Sequence, residues 1–304
     1  MSGLRPLAFE VLRELSLDVA PGFLSAASAL VRVGERLHVA SDDRDGIGSF
    51  HRHGLAPGCF ASVMPDEVPD DAAQRKAAKA DLEVLVRLPP RPGLPHGALL
   101  ALGSGSRPQR CRGVLLPLQA DGQLQPPFTL LDLMPLYAPL ARRLGALNIE
   151  GALRLPGQLA LLQRATGAGS ANALAQFDSR AFDAWLAGQA EAPSADAVVA
   201  FELGSFEGVP LGFTDASALP DGAWVFTAAA EDTGNSYDDG PCRGSVVGRV
   251  SASSQLGPLY AVPGHKIEGV EASPSAAGVE LLMVTDADDP ARPALLLRAT
   301  LPAA

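Results

Sequence analysis

Cysteine is nearly missing from this chain. Its 304 residues include only Cys59, Cys111 and Cys242, odd in number, far apart and without CxxC spacing. That pattern disfavours a disulfide framework and a zinc knuckle, so reduced, partly buried thiols are expected. Positive charge is also in short supply. Against 34 Asp and Glu stand 24 Lys and Arg, giving a net charge of -10 and a pI near 5.0. Nucleic acid and anionic lipid both need a basic face, so neither is an expected partner. No apolar run approaches the length that spans a bilayer, and the opening MSGLRPLAFEVLRELSLDVA lacks a cationic start followed by an unbroken apolar stretch. A soluble, cytoplasmic protein is therefore expected, with no membrane association. HExxH, GxSxG, the P-loop and GxGxxG are missing as well, which disfavours a nucleophile-elbow hydrolase and a Rossmann enzyme.

What is present points to strands. The chain is 47% hydrophobic and 19% charged, enough apolar matter for a full-sized core, and its 31 glycines and 26 prolines imply many turns. It also repeats. KIEGVEASP (266–274) resembles NIEGALRLP (148–156), FTDASALP (213–220), DLEVLVRLP (81–89) and FLSAASALV (23–31). After each copy come a turn and a second apolar strand, such as GALLALGSGS or GVELLMVTDADD, and usually a third, such as RCRGVLLPL or ALLLRATLP. Asp121-Gly122 and Asp221-Gly222 have the chemistry of tight hairpins.

Five units of three or four antiparallel strands indicate an all-β, five-bladed β-propeller, expected to fill residues 1–304 as one domain. A β-sandwich pair could give strands at similar spacing, but not a strand-start acid that keeps returning. The last unit ends after three strands, so FEVLRELSLDV near the N-terminus is expected to supply its outer strand and close the ring. Helical insertions are expected at 70–80, 130–145 and 179–189, the last with Ser179 as N-cap.

In a propeller the first strand of each blade lines the central channel, so equivalent positions converge on one axis. Aligning the repeats makes Ser25, Glu83, Glu150, Asp215 and Glu268 equivalent, at intervals of about 53 to 67 residues. Two unit charges about 5 Å apart repel by roughly 3 kcal/mol at an effective dielectric near 20. Four acids in a ring of five need protons, a cation or intervening water. A hard cation with oxygen ligands fits best, and Ca2+ suits an irregular cage better than magnesium. The competing reading has these acids capping strand ends and bonding to neighbouring backbone amides, with no metal. Loops after the second strands share the same face. They carry Asp42, Asp43, Arg44, Ser104, Ser106, Arg164, Glu231, Asp232, Asp286 and Asp288, and would make a polar funnel. GSGSRP and GAGSAN could expose backbone amides to an anion, although flexible turns are the plainer reading. Of the five histidines, His51 and His53 alternate as on a surface strand.

At these residues the chain resembles the calcium-activated nucleotidase (apyrase) family, five-bladed propellers whose central calcium takes one Ser or Glu oxygen from each blade. VASDDRDG (39–46), LLQRAT (161–166), AAEDTG (229–234) and KIEGVE (266–271) are similar to the family's first-, third-, fourth- and fifth-blade motifs. The Glu-Gly strand heads also resemble the esterase-like phytase propellers and bacterial propellers built on this plan. Asp215 departs from the family, where serine is usual, and many residues between the motifs are missing. The resemblance implies a calcium-dependent hydrolase of nucleotides or other phosphoesters. Ser25, Glu83, Glu150, Asp215 and Glu268 would hold the ion, Arg44 and Arg164 would stabilise transferring charge, and Asp42 or Asp43 would direct water. An anionic small molecule would be the substrate. A non-catalytic propeller whose structural calcium supports a binding platform is the alternative, and an esterase or lactonase with the same metal is a third possibility.

Overall fold

The computed structural model describes residues 4–65, 69, 71–166, 170–232 and 240–302. Two strands come first, β1 (Arg5–Pro6) and β2 (Phe9–Glu14). Blade 1 follows as β3 (Ala27–Val33), β4 (Arg36–Ser41), β5 (Gly46–His51) and β6 (Cys59–Ser62). The helix α1 (Ala72–Ala78) leads to blade 2, made of β7 (Leu82–Leu88), β8 (Ala98–Gly103), β9 (Arg112–Pro117) and β10 (Thr129–Asp132). After α2 (Met134–Leu144), blade 3 comprises β11 (Ile149–Leu155), β12 (Gln158–Gln163), β13 (Asn172–Asp178) and β14 (Ala197–Phe201), with α3 (Ser179–Leu186) between its last two strands. A small hairpin of β15 (Ser205–Phe206) and β16 (Val209–Pro210) precedes blade 4, which is β17 (Gly212–Ala218), β18 (Trp224–Glu231), β19 (Cys242–Val250) and β20 (Leu256–Val262). Blade 5 is β21 (Lys266–Ser275), β22 (Gly278–Asp286) and β23 (Leu295–Pro302).

Each blade is an antiparallel meander, and β2 pairs antiparallel with β23 as the fourth strand of blade 5. The N-terminal segment therefore closes the ring, as the three-strand ending of the sequence requires. It also does something the sequence did not suggest. β1 lies parallel to β20 and covers the outer edge of blade 4, so one segment ties blades 4 and 5 together. Among the described residues, no helix is long and apolar enough to cross a membrane.

Apolar residues form strands here because sheets pack face to face around the ring. The residues of β8, ALLALG, are buried throughout, since both faces of a middle strand meet neighbouring blades and continuous apolar runs replace alternation. Five apolar clusters occupy the five interfaces between blades. The cluster between blades 2 and 3 also takes in α2 through Leu136, Tyr137 and Leu140, and α3 through Phe182 and Leu186. Fully burying such a side chain is worth roughly 1.5–3 kcal/mol, so the interfaces supply the main favourable term. The expected helices exist, but α3 is capped by Asp178 rather than Ser179. The Asp178 carboxylate accepts from the Arg180 and Ala181 N–H groups. Aspartate is the stronger acceptor for these orphan donors, and Ser179 becomes the first helical residue.

Asp121-Gly122 and Asp221-Gly222 form turns, with Gly122 at φ 81° and Gly222 at φ 83°. The first of them carries a buried polar joint. His38 on β4 is fully buried, its Nδ1 2.9 Å from Ser49 Oγ and its Nε2 3.0 Å from the Gly122 carbonyl in blade 2. A neutral ring satisfies both contacts, with Nε2–H donating to Gly122 and Nδ1 accepting from Ser49. Burial lowers its pKa to about 4.

Because the folded pKa lies below the unfolded one, His38 contributes stability that is complete above about pH 6.5. That contribution drains away as the pH falls toward 4. The expected total loss is roughly 3 kcal/mol. Urea unfolding of wild type and His38→Gln between pH 7 and pH 4.5 should show a shallower pH dependence in the variant. Parallel curves would refute the assignment.

Candidate functional site at the propeller axis

Each first strand carries one irregularity in its pairing with the second strand, and it falls at the same place in every blade. The register shifts lie between Ala27 and Ala29, Leu82 and Val84, Ile149 and Gly151, Phe213 and Asp215, and Ile267 and Gly269. A bulge re-aims the extra residue, so these five residues form a structural ring. They are Ser28, Glu83, Glu150, Thr214 and Glu268. Three of the expected ring members are in register, and two are corrected. Ser25 is three residues upstream of the bulge of blade 1, and Asp215 is one residue past the bulge of blade 4.

Asp215 has a different task. It is 2% exposed, and its carboxylate accepts the N–H groups of Ala216 (2.7 Å) and Val270 (2.8 Å), with Leu30 as a further backbone donor. Burial raises its pKa well above the usual range, against the pull of these amides. Asp215 thus fastens blade 4 to blades 5 and 1. Capping of neighbouring backbone amides, the metal-free alternative from the sequence, describes this acid. Its neighbours follow the same plan. Ser217 Oγ accepts from Ala272 N–H at 2.9 Å, and Glu271 Oε2 accepts from Arg32 N–H at 3.0 Å. The ring hydroxyls donate across the same seams, Ser28 to the Leu82 carbonyl (2.5 Å) and Thr214 to the Ile267 carbonyl (2.7 Å). Inner strands of adjacent blades do not pair, so side chains satisfy their backbone groups. The seams are tight. A Cβ on Gly269 would stand 2.9 Å from Ala29 C and Leu30 N, which explains why glycine follows a ring glutamate there.

Four of the ring residues, Ser28, Glu83, Glu150 and Glu268, line a cavity of about 1400 Å³. On one side, Lys79 Nζ bonds to Asp42 and lies 3.2 Å from Asp81, while Arg110 Nη1 lies 2.8 Å from Asp81. Ser104 Oγ donates to the same Asp81 at 2.5 Å. On the other side, Arg164 reaches Glu150 (3.3 Å) and Glu231 (2.9 Å). Lys266 Nζ meets Glu231 (2.6 Å), Asp288 (2.8 Å), Glu268 (3.2 Å) and Asp286 (3.9 Å). Eleven acids line the cavity, among them Asp42, Asp81, Glu83, Glu150, Glu231, Glu268, Asp286 and Asp288, against eight Lys and Arg side chains, among them Lys79, Arg110, Arg164 and Lys266.

Burial, with neighbouring acids adding to it, raises the carboxyl pKa values. Burial, reinforced by Asp81 and Glu150, pushes Glu83 well above the carboxylate range. Burial takes Glu150 to about 8 despite Arg164, and Glu268 to about 7 despite Lys266. Asp42 and Asp286 also rise through burial, opposed by Lys79 and Lys266 respectively. For Lys79, burial would lower the pKa, but Asp42, Asp81 and Glu83 win and hold it well above normal.

Of the residues expected to act in the funnel, Asp42, Asp43 and Arg164 line the cavity together with Glu83, Glu150 and Glu268. Arg44 does not. It turns outward, its guanidinium 4.0 Å from the centroid of the Phe60 ring and its Nη2 donating to the Ala20 carbonyl at 3.2 Å. Cation–π contact on the edge strand β6 outcompetes the already cation-filled interior. Asp232 is also peripheral, paired with Arg243 at 3.1 Å. Residues 167–169 of GAGSAN and 233–234 of AAEDTG lie outside the described residues. Sequence reasoning missed Lys79, Asp81, Arg110 and Lys266. Asp81 and Lys266 stand two positions before ring glutamates, as does Asn148, whose Nδ2 donates to Glu150 Oε1. That spacing was the available signal.

Residues 75–290 match the model of a family described as "Family of unknown function (DUF6910)". No curated protein matches the chain. Among solved structures, the chain is similar to an α-L-arabinofuranosidase from Podospora anserina in complex with cellotriose (10% identity, 99% of each chain covered, TM-score 0.49). It is also similar to a luciferin-regenerating enzyme (10% identity, 97% of this chain and 95% of that one, TM-score 0.47). A third is a glucose dehydrogenase (12% identity, 97% and 99% covered, TM-score 0.47). Likeness at this level assigns no activity.

The place of Asp215 makes a distinction measurable. Asp215→Ala should strand buried N–H groups and cost about 3 kcal/mol in urea unfolding, while Asp215→Asn, which keeps one acceptor oxygen, should lose less than half of that. Equal losses in the two variants would contradict the capping role.

Proposed function

The chain belongs to DUF6910, a family of unknown function, and we propose that it is a calcium-dependent hydrolase of phosphorylated small molecules, acting in the axial cavity. The observation that carries this reading is the surplus of carboxylates in the axial cavity. With all groups ionised, eleven acids against eight Lys and Arg side chains leave an excess that protons or a divalent cation must offset. The residues present fit an oxygen-liganded cation. Asp42, Asp81 and Glu83 each offer an oxygen within 4.8 Å of the others. Asp42 Oδ1 is a buried acceptor with no hydrogen-bond partner. Glu83, Glu150 and Glu268 would hold the ion together with the hydroxyl oxygen of Ser28, which keeps free lone pairs while donating across its seam. The corrected ring also places a hydroxyl in blade 4, in keeping with the resemblance to the calcium-activated nucleotidases.

A calcium ion there would supply a Lewis acid and cancel the repulsion of an anionic substrate. The protein's own groups divide the remaining work. Asp42 and Asp43, at the end of β4, are placed to orient water entering the cavity. Arg164 is fixed between Glu150 and Glu231 and presents charge on the opposite side. Arg243 and Arg292 also line the cavity and would favour entry of an anion. Arg44 has no part in this scheme. A second reading, a non-catalytic propeller with a structural calcium and a binding platform, is favoured by the full engagement of Lys79, Arg164 and Lys266 in ion pairs.

Saturating calcium should raise the melting temperature by about 5 °C or more, and EDTA should reverse it. Phosphate release from a panel of nucleotides and phosphomonoesters should require calcium and fall at least about 100-fold in Glu83→Gln. A calcium-induced shift without turnover on any member of the panel would select the binding platform. No shift at all would remove the cation from both readings.

A further inference from the structure

Two blades bring no carboxylate to the ring, and in each an acid that ends or follows the second strand lines the cavity. In blade 1 the ring residue is Ser28 and the acid is Asp42; in blade 4 they are Thr214 and Glu231. Glu231 has the more demanding position. Its Oε2 is 2.9 Å from Arg164 Nη2, and its Oε1 is 2.6 Å from Lys266 Nζ. Those cations are the partners of the ring glutamates on either side of Thr214. Arg164 Nη1 is 3.3 Å from Glu150, and Lys266 Nζ is 3.2 Å from Glu268. A chain of alternating charge, Glu150, Arg164, Glu231, Lys266 and Glu268, thus spans blades 3 to 5, with all five side chains at most 10% exposed. The contacts are not equal. Each cation lies closer to Glu231 than to its ring glutamate.

We propose that Glu231 is a positioning residue that draws Arg164 and Lys266 away from Glu150 and Glu268, leaving both ring carboxylates able to receive a cation. The claim rests on the cation reading given above. Without the shared acceptor, Arg164 keeps Glu150 as its ion-pair partner among the described residues and Lys266 is divided between Glu268 and Asp288, so both can close on a ring glutamate, and a close pair in a low-dielectric interior competes directly with a bound ion. One carboxylate serves two cations because its oxygens are used separately, one for each. Aspartate keeps the charge but is one methylene shorter, too short to span both from the same backbone position.

Calcium titration calorimetry on wild type, Glu231→Gln and Glu231→Asp, with crystal structures of all three, tests the proposal. Both variants should bind calcium at least about tenfold more weakly than wild type, and both structures should show Arg164 and Lys266 shifted toward Glu150 and Glu268. Loss in Glu231→Gln with wild-type affinity in Glu231→Asp would reduce the residue to a source of charge and overturn the positioning role. So would unchanged affinity in both. If wild type binds no calcium, the cation reading fails on its own account. The variant structures then decide the positional half, which is refuted if Arg164 and Lys266 stay where they are in wild type.

Discussion

Everything in this fold turns on charge gathered where five inner strands meet. A propeller brings equivalent positions of its blades to one axis, so an acid kept in several repeats becomes a cluster in space. Glu83, Glu150 and Glu268 cannot separate without unmaking the ring, and burial denies them water. Lys79, Arg164 and Lys266 answer part of that charge, each sharing itself between a ring glutamate and acids from the loops above. Burial, with the unanswered charge behind it, raises the carboxyl pKa values.

Such a site is costly, and the cost is met elsewhere in the ring. Taking ions out of water carries a penalty of several kcal/mol for each, and pairing repays it only in part. Five apolar interfaces between blades provide the opposing term, with the N-terminal segment making the last of them possible. The seams between inner strands matter in the same way. Asp215, Ser217, Glu271, Ser28 and Thr214 satisfy backbone groups that no ladder reaches, and four of these five belong to the blades where the ring is closed. Polar side chains near the axis therefore do two kinds of work, and neighbouring residues on one strand can differ in which they do.

That difference marks the limit of what the sequence disclosed. Blade number, helical insertions and ring closure were legible because they rest on long-range pattern: apolar runs such as ALLALG and QLALLQ, recurrent turns, and a final unit short of one strand. Glu83, Glu150 and Glu268 were legible because a charged residue at a strand head stands out. Ser28 and Thr214 were not. A hydroxyl is inconspicuous, and Asp215, one residue away, offered a more tempting match in blade 4, as Ser25 did in blade 1. A bulge displaces register by a single residue, and a single residue reverses the direction of a side chain. In blade 4 similarity between repeats cannot resolve a step that small, and in blade 1 it settled on a serine three residues early.

The cations escaped notice for another reason. Lys79 follows α1 at the start of blade 2, Arg110 ends the helical turn Pro108–Arg110, and Lys266 opens β21. They come from unlike places in the repeat, because no symmetry requires their positions to agree. The acids are set by the architecture and the bases by local opportunity. This asymmetry gives the cavity two unlike sides, one organised on Lys79 and Asp81 and the other on Glu231. Thr214 makes the second side possible. A carboxylate in its place would give Arg164 and Lys266 another acceptor on the ring itself, in competition with Glu231, which among the described residues is the acid that holds both.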